Sequence, residues 1–146
     1  MRTSIPFTSD DEIAAIARGL RGRTLPKPAW THAAHFASAL WLLTRCPELD
    51  CFREMPNIIR AYNEATGVAN TDTSGYHETI TLASLRAARA FLAKHPARPL
   101  FMTCNALLNS PLGKSNWPLA YWSRSRLFSV EARRAWLDPD LEVFPF

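Results

Sequence analysis

The chain has 146 residues, of which 47% are apolar and 21% are charged, and its formal net charge is +4. This balance is typical of a globular domain and excludes a disordered tail or a fibrous protein. No apolar stretch approaches the roughly 18 residues of a membrane span, so we expect no membrane partner. Three cysteines without CxxC spacing argue against a disulfide framework. We therefore expect one domain, residues 1–146, in a reducing compartment such as the cytoplasm.

Capping residues and apolar spacing predict four longer helices, over residues 10–20, 31–45, 49–66 and 76–94. The first begins with a capping-box sequence, in which Ser9 accepts from the backbone and Glu12 reaches back to it. Thr31 is the expected N-cap of the second helix. Pro56 interrupts the third helix, and Gly67 follows it at a position that suits a C-cap.

The last third of the chain is broken by prolines and predicts shorter helices, over residues 100–109, 119–124 and 130–137. No segment alternates between apolar and polar residues for long enough to predict a strand. The expected fold class is therefore all-α, a single-domain helical bundle with about four longer helices and short C-terminal ones.

Polar residues are predicted to converge at one end of this bundle. His32 and His35 fall on the same helical face as Phe36, and His77 begins a stripe on the fourth helix that is polar first and apolar later. In an up-down bundle the second and fourth helices run parallel, so their N-termini meet beside the end of the third helix. The residues expected at this end are His32, His35, Asn63, Asn70, Thr71, Tyr76, His77 and Thr81.

Three interpretations of the histidines remain open. His32, His35 and His77 suit a divalent transition metal such as zinc, with an open position for water, as in a metal-assisted hydrolase or lyase. In a metal-free pocket one histidine acts as general base and the others orient a substrate. Each histidine is also explained as a core residue that bonds to a backbone carbonyl group.

Two further functions are compatible with the sequence. A non-catalytic ligand-binding or sensor domain would use the same pocket for a small molecule, with Arg124 or Arg126 pairing an anionic group. A nucleic-acid-binding protein would use residues 79–130, which contain seven bases and no Asp or Glu. The bases are scattered and accompany no known binding motif, so this third hypothesis is the weakest.

Three phrases resemble a family of small bacterial helical proteins: WTHAAH (30–35), GYHETIT (75–81), and SRSRLFS (123–129) followed by PDL (139–141). The resemblance extends over residues 25–141, and its first two phrases are the most specific. It implies that the three phrases form one unit, and it implies no activity, metal or substrate.

Overall fold

The computed structural model describes residues 6–96 and 99–146, and within those ranges it contains helices and loops but no strand. The predicted all-α fold is confirmed. The α-helices are α1 (Asp10–Arg21), α2 (His32–Arg45), α3 (Cys51–Ala65), α4 (Glu78–Lys94), α5 (Leu100–Leu108), α6 (Arg124–Leu127) and α7 (Val130–Arg134). Short 3-10 helices occupy Lys27–Ala29, Pro111–Gly113 and Trp117–Ala120.

Side chains cap the N-termini of the first two helices where the sequence predicts them. The Ser9 hydroxyl accepts from the backbone N–H of Glu12, and the Thr31 hydroxyl accepts from that of Ala34. The Glu12 carboxylate accepts from the backbone and hydroxyl of Thr8, so it reaches one residue further back than a capping box requires. Both arrangements satisfy backbone groups that have no partner inside the helix.

Several predicted boundaries differ from the structure: α4 begins at Glu78 instead of residue 76, and α7 ends at Arg134 instead of residue 137. Helix α3 begins at Cys51 because Asp50 caps it, and the helix continues through the buried Pro56. The predicted helix over residues 119–124 is wrong. A 3-10 helix ends at Ala120, and Ser123 caps a new helix by accepting from the backbone of Arg126.

The core lies where α2 packs between α1, α4 and α5. Its fully buried side chains include Ile13, Leu20, Phe36, Leu40, Leu85 and Leu107. Across the described ranges, no helix combines the length and the hydropathy that crossing a membrane requires.

The SRSRLFS phrase holds the C-terminal segment against the bundle. Asp140 accepts from the backbone N–H of Ser123 at 2.7 Å and from its hydroxyl at 2.6 Å. Arg126 Nε donates to the carbonyl oxygen of Asp138. The fully buried Trp122 donates to the carbonyl oxygen of Leu137 at 2.8 Å. These contacts give the phrase a structural role.

Candidate functional site

A cavity of about 390 Å³ opens between α2, α3 and α4. Its volume falls in the range of small-molecule sites, roughly 300–1,000 Å³. Helix α2 contributes His35, Ser38 and Ala39, and helix α3 contributes Met55, Ile59 and Asn63. Helix α4 contributes Ile80, Thr81, Ser84 and Leu85, and the connecting segments contribute Trp30, Val68, Gly75, Tyr76 and His77.

The structure brings five of the predicted site residues to this cavity: His35, Asn63, Tyr76, His77 and Thr81. His32, Asn70 and Thr71 do not line it. Trp30, Ser38 and Ser84 line it but were not among the predicted site residues. The helical spacing in the sequence could have placed both serines at the cavity. Ser38 lies about one helical turn after His35, and Ser84 lies on the same stripe as His77.

His35 is the histidine that the cavity exposes. Protein surrounds the residue, yet its side chain stays accessible because it faces the open cavity, and its ring stacks on Trp30 at 3.9 Å between centroids. Among the described residues no hydrogen-bond partner occupies either ring nitrogen. Burial, with a smaller contribution from the nearby His32, lowers the pKa of His35 to about 4. The ring is therefore neutral near pH 7 and offers one N–H donor and one acceptor nitrogen.

His77, in contrast, has both ring nitrogens engaged. Nδ1 accepts from the backbone N–H of Ile80 at 3.2 Å and so caps α4. Nε2 therefore carries the proton and donates to the carbonyl oxygen of Leu127 at 2.7 Å. Burial lowers the pKa of His77, with Arg133 adding to the effect, and the Leu127 hydrogen bond opposes them. His77 forms part of the cavity wall as a neutral, structural residue.

The three histidines do not fit a shared metal ion. His32 Nε2 donates to the carbonyl oxygen of Leu112 at 2.8 Å, and its ring packs edge-on against Phe36. His77 has no nitrogen lone pair left to donate to a metal, for the reason given above. Within residues 6–96 and 99–146, no group of three or more His, Cys, Asp or Glu side chains is placed to hold an ion.

Asn70 anchors the loop that closes one end of the cavity. Its Oδ1 accepts from Asn63 Nδ2 and from the backbone N–H of Tyr76, both at 3.0 Å. Its Nδ2 donates to the carbonyl oxygen of Arg60 at 3.1 Å. In the described part of the chain, the Thr71 hydroxyl bonds within the loop, to residues 73 and 74. The two predicted site residues thus support the cavity wall from outside the cavity.

Tyr76 is fixed on both sides. Its hydroxyl donates to Glu78 Oε1 at 2.6 Å, and the Arg60 guanidinium lies over its ring at 4.4 Å. Burial raises the pKa of Tyr76, and the neighbouring Glu78 carboxylate raises it further. Arg133 donates to the carbonyl oxygens of Gly75 and Tyr76. The phenol therefore stays protonated, and its proton is directed at Glu78.

The arginines proposed to pair an anion lie elsewhere. Neither Arg124 nor Arg126 lines the cavity. Arg124 packs over Phe128, and Arg126 donates to the Asp138 carbonyl oxygen in the C-terminal segment. Two further bases of the acid-free segment cover aromatic rings, because Arg86 lies over Trp136 and Arg89 lies over Phe52. These guanidinium groups pack on rings of the protein itself and keep their charge.

No protein-family model, curated protein sequence or solved structure matches this chain.

The lowered pKa values predict a loss of stability in mild acid. A histidine whose pKa is lower in the folded state takes up its proton at a higher pH in the unfolded state. Its contribution to the free energy of unfolding is therefore complete above about pH 6.5, and it is lost as the pH falls toward the pKa of the folded state. We expect the urea midpoint to fall between about pH 6.5 and pH 4, and to fall less in His35→Gln. NMR titration of the His35 ring should give a pKa near 4; a value near 6.5 would contradict the environment described for His35.

Proposed function

We propose that the protein is a small-molecule-binding domain whose ligand occupies the cavity around His35. The observation that carries this proposal is an accessible, neutral imidazole without a protein hydrogen-bond partner in the described structure, at the wall of a cavity of about 390 Å³. The ring nitrogens are accessible from the cavity, so they are free to form hydrogen bonds with a ligand or with water.

The polar groups of the cavity favour binding over hydrolysis. The hydroxyls of Ser38 and Ser84 donate to carbonyl oxygens of their own helices, so neither donates to His35 as an activated nucleophile does. Glu and Asp do not appear among the lining residues. A histidine with a pKa near 4 is a weak general base at pH 7. These features support the ligand-binding hypothesis more strongly than a hydrolase or lyase.

A cytoplasmic location is part of the same proposal. Cys46, Cys51 and Cys104 are all free thiols, and burial raises the pKa of Cys51 to about 11 and that of Cys104 to about 12. Thiols held in the protonated form react slowly with oxidants and electrophiles. Unpaired cysteines of this kind are typical of a reducing compartment.

Fragment binding followed by NMR tests the function. We expect small organic fragments to shift the methyl resonances of Met55, Ile59 and Ile80, which line the cavity. His35→Ala should raise the dissociation constant of the tightest-binding fragment by about three- to tenfold, the amount that one neutral hydrogen bond contributes.

His32→Ala is the matched control, because it removes the same side chain one helical turn earlier and outside the cavity. It should change the fragment affinity less than twofold in protein that remains folded. Fragments that shift no cavity methyl, or that bind equally well to wild type and His35→Ala, would contradict the proposed site.

A further inference from the structure

The cavity carries no formal charge. None of its fifteen lining residues is Asp, Glu, Lys or Arg. The charged groups behind its wall already have partners: Glu78 accepts from the Tyr76 hydroxyl, and Arg133 donates to two backbone carbonyls. An ionic ligand would lose hydration on entry and gain no opposite charge in exchange, which costs free energy.

The Ser38 and Ser84 hydroxyls of the cavity direct their protons away from a ligand. Each hydroxyl has one proton, and those of Ser38 and Ser84 go to the carbonyl oxygens of His35 and Ile80 at 3.0 and 2.7 Å. The Tyr76 proton goes to Glu78, and His77 donates to Leu127. The two serine oxygens retain lone pairs, so toward a ligand they act as acceptors. A donor on the ligand can therefore bond to either serine oxygen, in addition to any hydrogen bond with the open ring nitrogens of His35.

The remaining surface of the cavity is mostly apolar. Met55, Ile59, Val68, Ile80 and Leu85 form aliphatic walls, and Trp30 stacked on His35 adds a flat aromatic face. Transfer of apolar ligand surface from water to these walls lowers the free energy. The polar group should therefore be a small part of the ligand.

From these three observations we infer the chemical class of the ligand: an uncharged, largely apolar molecule with an N–H or O–H donor directed at the hydroxyl oxygens of Ser38 and Ser84. This inference rests on the proposed small-molecule function. It replaces the anionic ligand that the sequence suggested.

A matched set of probes tests the inference. Indole is neutral, flat and apolar and carries one N–H donor; 1-methylindole lacks the donor; 3-methylindole has the extra methyl group but keeps the donor. Indole-3-acetate and tryptamine add a negative and a positive charge at pH 7. Dissociation constants come from shifts of the Met55, Ile59 and Ile80 methyl signals of the full chain.

We expect indole and 3-methylindole to bind about three- to tenfold more tightly than 1-methylindole, and at least about fivefold more tightly than either charged probe. If 1-methylindole or a charged probe binds as tightly as indole, the inference about ligand class fails while the cavity remains a small-molecule site. If no probe shifts the cavity signals, both the inference and the proposed function fail.

Variants then locate the acceptor. The Ser38→Ala/Ser84→Ala double variant should reduce the advantage of indole over 1-methylindole to less than twofold. Thr44→Val removes a hydroxyl that bonds in the same way, to the Leu40 carbonyl at 2.7 Å, but lies outside the cavity, and it should preserve the advantage. An advantage that survives in the double variant would overturn the assignment to these serines.

Discussion

Gly75→Ala should destabilise the fold by about 2–5 kcal/mol, combining a left-handed backbone penalty of about 1–2 kcal/mol with the cost of overpacking. Gly75 has a φ of +79°, a conformation that L-residues rarely adopt. A Cβ atom there would lie 2.4 Å from the Ala69 carbonyl oxygen and 2.7 Å from Asn70 Oδ1. The same Asn70 oxygen anchors the loop, so its displacement would disturb the cavity wall as well as the stability.

Gly67→Ala provides the matched control for this prediction. Gly67 has a φ of +84°, but a Cβ atom there would meet nothing within 4 Å. It should cost only the backbone penalty, about 1–2 kcal/mol. Urea denaturation of the two variants isolates the cost of the close approach at Gly75. Equal urea midpoints for the two variants would show that the loop accommodates the added Cβ atom without loss of stability, and that the close approach to Asn70 is unimportant.

His77→Ala should cost about 2–4 kcal/mol, which is large for a polar residue at a helix start. The change removes the cap of α4, worth about 0.5–2 kcal/mol. It also leaves the Leu127 carbonyl oxygen without its buried donor, at about 1–3 kcal/mol. A histidine that served only as a ligand or a base would be expected to have a much smaller effect on stability.

Two further variants separate the contributions of His77. His77→Asn keeps an acceptor for the Ile80 N–H but is too short to replace Nε2, so it should recover about 1 kcal/mol of the loss. Leu85→Ala, in the apolar part of the same stripe, should cost about 2–5 kcal/mol because Leu85 is fully buried. If His77→Ala shifts the urea midpoint far less than Leu85→Ala and matches wild type within about 0.5 kcal/mol, the structural role of His77 is refuted.

The sequence by itself determined the longer helices and the end of the bundle where polar residues gather. Caps such as Ser9 and Thr31 act on backbone groups three residues away, so the local sequence contains the information needed to place them. The stripe that begins at His77 also follows from helical geometry alone, and Thr81 of that stripe lines the cavity. The prediction of a helix over residues 119–124 is wrong because Pro118 lies in a 3-10 helix that ends at Ala120, and Ser123 then caps a new helix.

Only the tertiary structure decided which histidine is free. His77 and His32 donate to carbonyl groups 50 and 80 residues further along the chain, and no local pattern reveals such partners. His35 lies one helical turn after His32, yet it stacks on Trp30 and faces the cavity, and no residue in the described ranges bonds to either of its ring nitrogens. A ring nitrogen is available for function only when no distant carbonyl group reaches it, and that depends on how the helices pack.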